Sequence, residues 1–179
     1  MRNARLRGNS GYSLVEVLIA MAILGTVIMS IMTLFVFGRR NVYSGRQMTR
    51  AVSVTTHVVE DIVPLAPAAF YTTFKITTTT TLGNNTVADV TYPNSVVRRL
   101  PDFAVADPGH RYFDNWMQLL PQSRITGGNV ALVIMPRDLA ITNDPTSARR
   151  LLIKAVTEWN EGARSRQVSL DVTKLNRKF

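Results

Sequence analysis

Gly11-Tyr12-Ser13-Leu14-Val15-Glu16, followed by an apolar run to Phe37, is the stretch whose reading decides this fold. From Tyr12 to Phe37 the only charged side chain is Glu16. At about 1.5 Å of rise per helical residue, a run of this length crosses a hydrocarbon core of about 30 Å, which predicts one membrane span. The residues ahead of it, Met1 to Gly11, are polar, carry Arg2, Arg5 and Arg7 and contain no acid. That composition marks a cytoplasmic flank. An ordinary secretory signal has a short apolar core with its small-residue cleavage site behind it. Here the apolar run is far longer and the small residue, Gly11, stands in front, so a cut at Gly11 leaves the span attached to the chain.

Glycine, a large residue, Ser or Thr, Leu, an aliphatic residue and Glu, abutting a long apolar helix, resemble the processing site of a type IV prepilin. Every position from Gly11 to Glu16 fits that pattern. The resemblance implies that a membrane-embedded prepilin peptidase on the cytoplasmic side removes residues 1–11 and methylates the new amino terminus at Tyr12. It also implies a single-pass protein of the bacterial inner membrane with its domain outside the cytoplasm. Such a subunit later joins major and minor pilins through its helix in a pilus or pseudopilus. Glycine suits the residue before the cut because it lets another protein approach the backbone closely. An uncleaved signal anchor, with Gly11 incidental, is the alternative.

Glu16 calls for explanation, because an ionisable residue inside a span is costly and is a functional candidate by default. After cleavage it stands four residues, or one helical turn, from a free amino group. In the pilin family the corresponding Glu neutralises the amino terminus of a neighbouring subunit during assembly, which implies the same role for Glu16. The alternative is a carboxylate that reaches back to the interface and favours the positive end of its own helix.

The 179 residues amount to one domain beyond the span. Net charge is +9, and nine less the leader's three arginines leaves +6, basic enough to favour anionic surfaces, including DNA and lipid headgroups. The arginines are dispersed without an aromatic-interleaved stripe, so DNA binding is possible but unsupported and solvated surface is the preferred reading. There is no cysteine, hence no disulfide, although many major pilins carry one. Arg39 and Arg40 follow the span on the side to be translocated, so orientation rests on the leader motif.

The helical pattern continues past the span. Met48, Val52, Thr55, Val59 and Ile62 recur at three- and four-residue spacing and predict a stripe facing a core, ended by Pro64 and Pro67. One helix over about 12–62 follows, roughly 75 Å long. The expected division is a leader over 1–11, a membrane half over 12–38, an amphipathic half over 39–63 and an extracytoplasmic β-rich domain over 64–179.

Thr72 to Leu82, a Gly83-Asn84-Asn85 turn and Thr86 to Tyr92 predict a hairpin, with a low-complexity stalk as the alternative for the threonine run. Prolines break the pattern over 93–128, which predicts a surface excursion with one short helix, Asp114 to Leu120, capped by Asp114. Val130 to Met135 is apolar without interruption and predicts a central strand covered on both faces. After a loop over 137–148, Leu151, Ile153, Ala155, Thr157 and Trp159, then Val168, Leu170 and Val172, alternate with polar residues about Asn160-Glu161-Gly162-Ala163. This predicts an antiparallel hairpin with Trp159 in the core, and its wording resembles the C-terminal hairpin of minor pilins and pseudopilins. The fold class is α+β, pilin-like, a long N-terminal helix packed against an antiparallel sheet.

His57 lies near Glu60 and Asp61, and His110 near Asp102, Asp107 and Asp114, without metal-ligand spacing or a calcium-loop pattern. There is no phosphate loop and no nucleophile with a supporting base. Neither an enzyme nor a cofactor is expected. The preferred reading is a minor type IV pilin, with a type II secretion pseudopilin and a membrane-anchored module binding DNA or a surface as alternatives.

Overall fold

The computed structural model describes residues 13–139 and 144–176. Its elements run α1 (Leu14–Ile62), α2 (Pro67–Thr73), β1 (Gly83–Val87), β2 (Val90–Arg98), α3 (Pro108–Gln122), β3 (Asn129–Leu139), β4 (Ala148–Glu161) and β5 (Arg164–Leu175), with 3₁₀ turns at Leu100–Asp102 and Pro145–Ser147. Two compact units divide the chain, residues 1–43 and 44–179. The first contains the apolar part of α1; the second contains the rest of that helix and every strand. This is the α+β arrangement expected, a long helix with an antiparallel sheet.

In the second unit the strands follow chain order, β1-β2-β3-β4-β5, and every pair is antiparallel. β3 is central and buried from Val130 to Pro136, as its unbroken apolar run predicts. One face carries Val130, Leu132 and Ile134 with Leu151, Ile153, Ala155, Trp159 and Val168, and meets Ala51, Val54, Val58 and Ile62 of α1. The other carries Ala131, Val133, Met135 and Val156, covered by Val87 and Tyr92. β2 makes that cover by bending at Pro93-Asn94, where Asn94 takes φ 49°. Its end pairs with β3 through Val96–Arg98, while its start pairs with β1. Asn85 Nδ2 donates to the Ser95 carbonyl at 2.7 Å and holds the bend.

The β4–β5 hairpin has the expected register, Glu161 opposite Arg164 and Arg150 opposite Leu175. Gly162, φ 64°, supplies the positive φ that a two-residue turn requires. Trp159 is 3% exposed, in the core as its parity predicts.

Four expectations are corrected. The core-facing line of α1 is Gln47, Ala51, Val54, Thr55, Val58 and Ile62, whereas Met48 and Val52 are exposed and Val59 is half-buried. Thr55 and Ile62 of the expected stripe are buried, while its other positions shift by one residue, about 100°, to Gln47, Ala51 and Val58. The hairpin predicted from Thr72 is displaced. Pro67 opens α2 at a first-turn position where its missing N–H costs nothing, Gly83-Asn84-Asn85 belongs to β1, and the turn falls at Ala88-Asp89, both at positive φ.

Residues 93–128 are no surface excursion: α3 begins at Pro108, with Asp107 rather than Asp114 at the N-cap position and no side-chain capping hydrogen bond, and buries Gly109, Phe113, Trp116 and Leu120. With Phe70, Phe74 and Phe103 they form an aromatic subcore in which the Phe74 ring stands 4.8 Å from Phe70 and 6.1 Å from Trp116. Finally, β3 extends to Leu139 into the loop predicted over 137–148.

Candidate functional segment

Within the first unit, residues 14–37 of α1 expose apolar side chains on every face of the helix. Leu14, Leu18, Met21, Leu24, Ile28, Met32, Phe35 and Phe37 are all exposed, and the most apolar part of α1 reaches a mean hydropathy of 2.5. By length and composition this helix suffices to cross a membrane. Its hydroxyls are internally satisfied: Thr26 Oγ1 donates to the Ile23 carbonyl at 2.7 Å, and Ser30 and Thr33 to those of Thr26 and Met29 at 2.9 Å. Such back-bonding hides polar groups that lipid cannot solvate.

Glu16 is thereby singled out. It lies in the first turn of α1, exposed, where the Ser13 carbonyl accepts from the Glu16 and Val17 amides at 2.9 and 3.2 Å. A carboxylate there complements the positive helix end. Gly11 and Tyr12, the predicted cleavage and methylation positions, lie outside the described residues.

In the second unit the polar side chains serve the fold. Trp116 Nε1 donates to Asp61 Oδ2 at 2.7 Å, tying α3 to α1. Arg98 donates to the Phe74 and Lys75 carbonyls at 3.0 and 2.8 Å, closing the end of α2, and burial pulls its pKa down. Lys174 does the same for α1: Nζ donates to the Val63 and Leu65 carbonyls at 2.9 and 2.5 Å, placing a cation where the helix end is negative. Burial lowers its pKa as well. Sequence reasoning missed this lysine, although its parity with Val168, Leu170 and Val172 marks it as inward-facing.

His57 is half exposed and 3.9 Å from both Glu60 and Asp61. The acids near His110 are occupied separately. Asp102 accepts from the Arg99 amide, Asp114 from Gln118, and Asp107 from the Ala104 amide and from Lys75. The hydrogen bond from Lys75 is the main reason the Asp107 carboxyl stays ionised below its usual range. An open groove lined by Lys75, Thr77, Thr80, Asn85 and Arg98 has both cations so engaged.

Residues 6–37 match the family described as the prokaryotic N-terminal methylation motif. No curated protein and no solved structure matches the chain. The matched residues include the apolar run of α1 to Phe37, and the motif is the type IV prepilin-like signature. It implies handling by a prepilin peptidase and assembly with other pilins.

Proposed function

We propose that the chain is a minor type IV pilin or pilin-like subunit. It is inserted in the inner membrane through α1, cut between Gly11 and Tyr12, methylated at Tyr12 and drawn into a filament with the second unit outside the cytoplasm. The observation that carries this reading is the methylation motif on a helix apolar all round whose one charged side chain before Arg39, among the described residues, is Glu16. Its role is structural, not enzymatic. An unpaired carboxylate in an apolar bundle is costly, and pairing it with the amino terminus of a neighbouring subunit removes both charges from isolation. The missing cysteine supports a minor rather than a principal subunit. A type II secretion pseudopilin shares this processing and helix, and neighbouring genes separate the two.

The experiment compares wild-type and Glu16→Ala chains in sheared filaments and in membranes, each quantified against the principal pilin. Glu16→Ala removes a membrane charge, so the mutant is expected at undiminished level in membranes and depleted from filaments. Equal incorporation ends the pairing argument, and stoichiometry equal to the principal pilin ends the minor-subunit one.

A further inference from the structure

Between Glu16 and Glu60 the chain has no acidic residue, yet Arg39, Arg40, Arg46 and Arg50 follow closely on the apolar run. The last two belong to the second unit, which begins at Ser44. They stand one helical turn apart, on one side of the helix next to the buried line that opens at Gln47. The fold brings further arginines to this end from far along the chain. Ser44 Oγ donates to Glu161 Oε2 at 3.2 Å, so the tip of the β4–β5 hairpin lies at the start of the second unit. Arg166 Nε is 3.1 Å from the same carboxylate oxygen. Arg46, Arg50 and Arg164 have no carboxylate partner among the described residues. Of these four arginines only Arg166 has an acid, and residues 162–166 at the tip are all exposed.

We propose that this end of the second unit, with Arg46, Arg50, Arg164 and the hairpin tip, docks on the anionic phospholipid headgroups of the membrane that holds α1. The inference rests on the membrane placement under Proposed function, because Ser44 follows the apolar helix directly in the chain. Guanidinium groups match phosphate oxygens in a two-pronged geometry and are weakly hydrated, and basic clusters beside a span recognise anionic lipid. The tip offers Gly162, Ala163 and Ser165 and no aromatic platform on which bases stack, which favours headgroups over nucleic acid. Held this way, the second unit stays on the membrane until assembly into a filament pulls the arginines from the phosphates.

The absence of cysteine makes site-specific labelling direct. The full chain, with a nitroxide at Ala163→Cys or Met29→Cys, is reconstituted in nanodiscs of phosphatidylcholine, alone or with phosphatidylglycerol, and label exposure to a water-soluble nickel complex is measured. Phosphatidylglycerol is expected to lower the exposure of the Ala163 label severalfold, and molar salt or the Arg46→Gln/Arg164→Gln double variant to restore it. Exposure that is the same in both lipids overturns the proposal. Equal protection by duplex DNA added to phosphatidylcholine discs overturns it in favour of a nucleic-acid surface. A Met29 label open to the nickel complex overturns the membrane placement itself, so the two failures are told apart.

Discussion

Thr55 of α1 and Thr157 of β4 meet hydroxyl to hydroxyl at 2.8 Å inside the core, both fully buried. Thr55 Oγ1 also lies 2.7 Å from the Ala51 carbonyl. A hydroxyl has one proton, so Thr55 Oγ1 shares it between two acceptors, the Ala51 carbonyl and the Thr157 hydroxyl. Thr55→Val then leaves the Thr157 hydroxyl without its donor, whereas Thr157→Val leaves Thr55 its carbonyl. Chemical denaturation is expected to show a loss of about 1–3 kcal/mol for Thr55→Val, less for Thr157→Val, and for the double variant less than the sum. Strict additivity would mean that the hydroxyls act independently.

Trp159, at the register position opposite Arg166, anchors the hairpin in the core. Trp159→Ala is expected to destabilise the second unit by about 3–5 kcal/mol in the same assay. An unchanged denaturation midpoint would place this indole outside the core.

Gly109 sits where α3 begins against the end of α2. A β-carbon there would come within 2.5 Å of both the Phe103 ring and the Thr73 carbonyl oxygen, and the carbonyl belongs to backbone that cannot swing away. Gly109→Ala is therefore expected to lower stability by about 1–3 kcal/mol, despite alanine's better helix propensity, and thermal unfolding followed by circular dichroism measures it.

Asp107 and Asp138 both titrate below the usual carboxylate value of about 3.9, held down first by hydrogen bonds from Lys75 and Arg150. A depressed folded pKa means that the unfolded chain takes up the proton first. The stabilisation is therefore complete above the unfolded value and is lost as pH falls from about 4 through the folded one. Unfolding midpoints of wild type and the Asp107→Asn/Asp138→Asn double variant should differ at pH 7 and converge as pH falls through the lowered folded values. A gap that persists in acid would count against the ion pairs.

Processing has its own direct measurement. Intact-mass analysis of the mature protein is expected to find a chain that begins at methylated Tyr12, and retention of Met1 in cells with an active peptidase would remove the cleavage claim.

What was legible in the sequence follows from periodicity. Val130 to Met135 is apolar on both parities and is the central strand, and the alternation through Trp159 and Val168 gives the hairpin its register. Prolines misled where they begin helices rather than break them. Pro67 and Pro108 each open one, and the Gly109, Phe113, Trp116 and Leu120 spacing was already an amphipathic signature. The α1 stripe held at Thr55 and Ile62 and went astray where apolar size favours Met48 and Val52, while the buried positions are Gln47 and Ala51. The hairpin tip at Ser44 joins residues that no local pattern links.

Strand order that follows chain order gives each strand its partner through a nearby connection, but the helix must wait. Thr55 meets Thr157 across a separation of 102 residues, and Lys174 closes on Val63 across 111. Contacts so distant carry the largest loop-closure cost and form after local pairing has begun. A chain emerging from its amino terminus therefore leaves the face of Ala51, Val54, Val58 and Ile62 incompletely covered until β4 arrives, and the helix end stays open until β5 delivers its lysine. Completion of the carboxyl-terminal hairpin is thus the maturation checkpoint of the second unit: a chain cut short before Lys174 presents proteases with an open helix end.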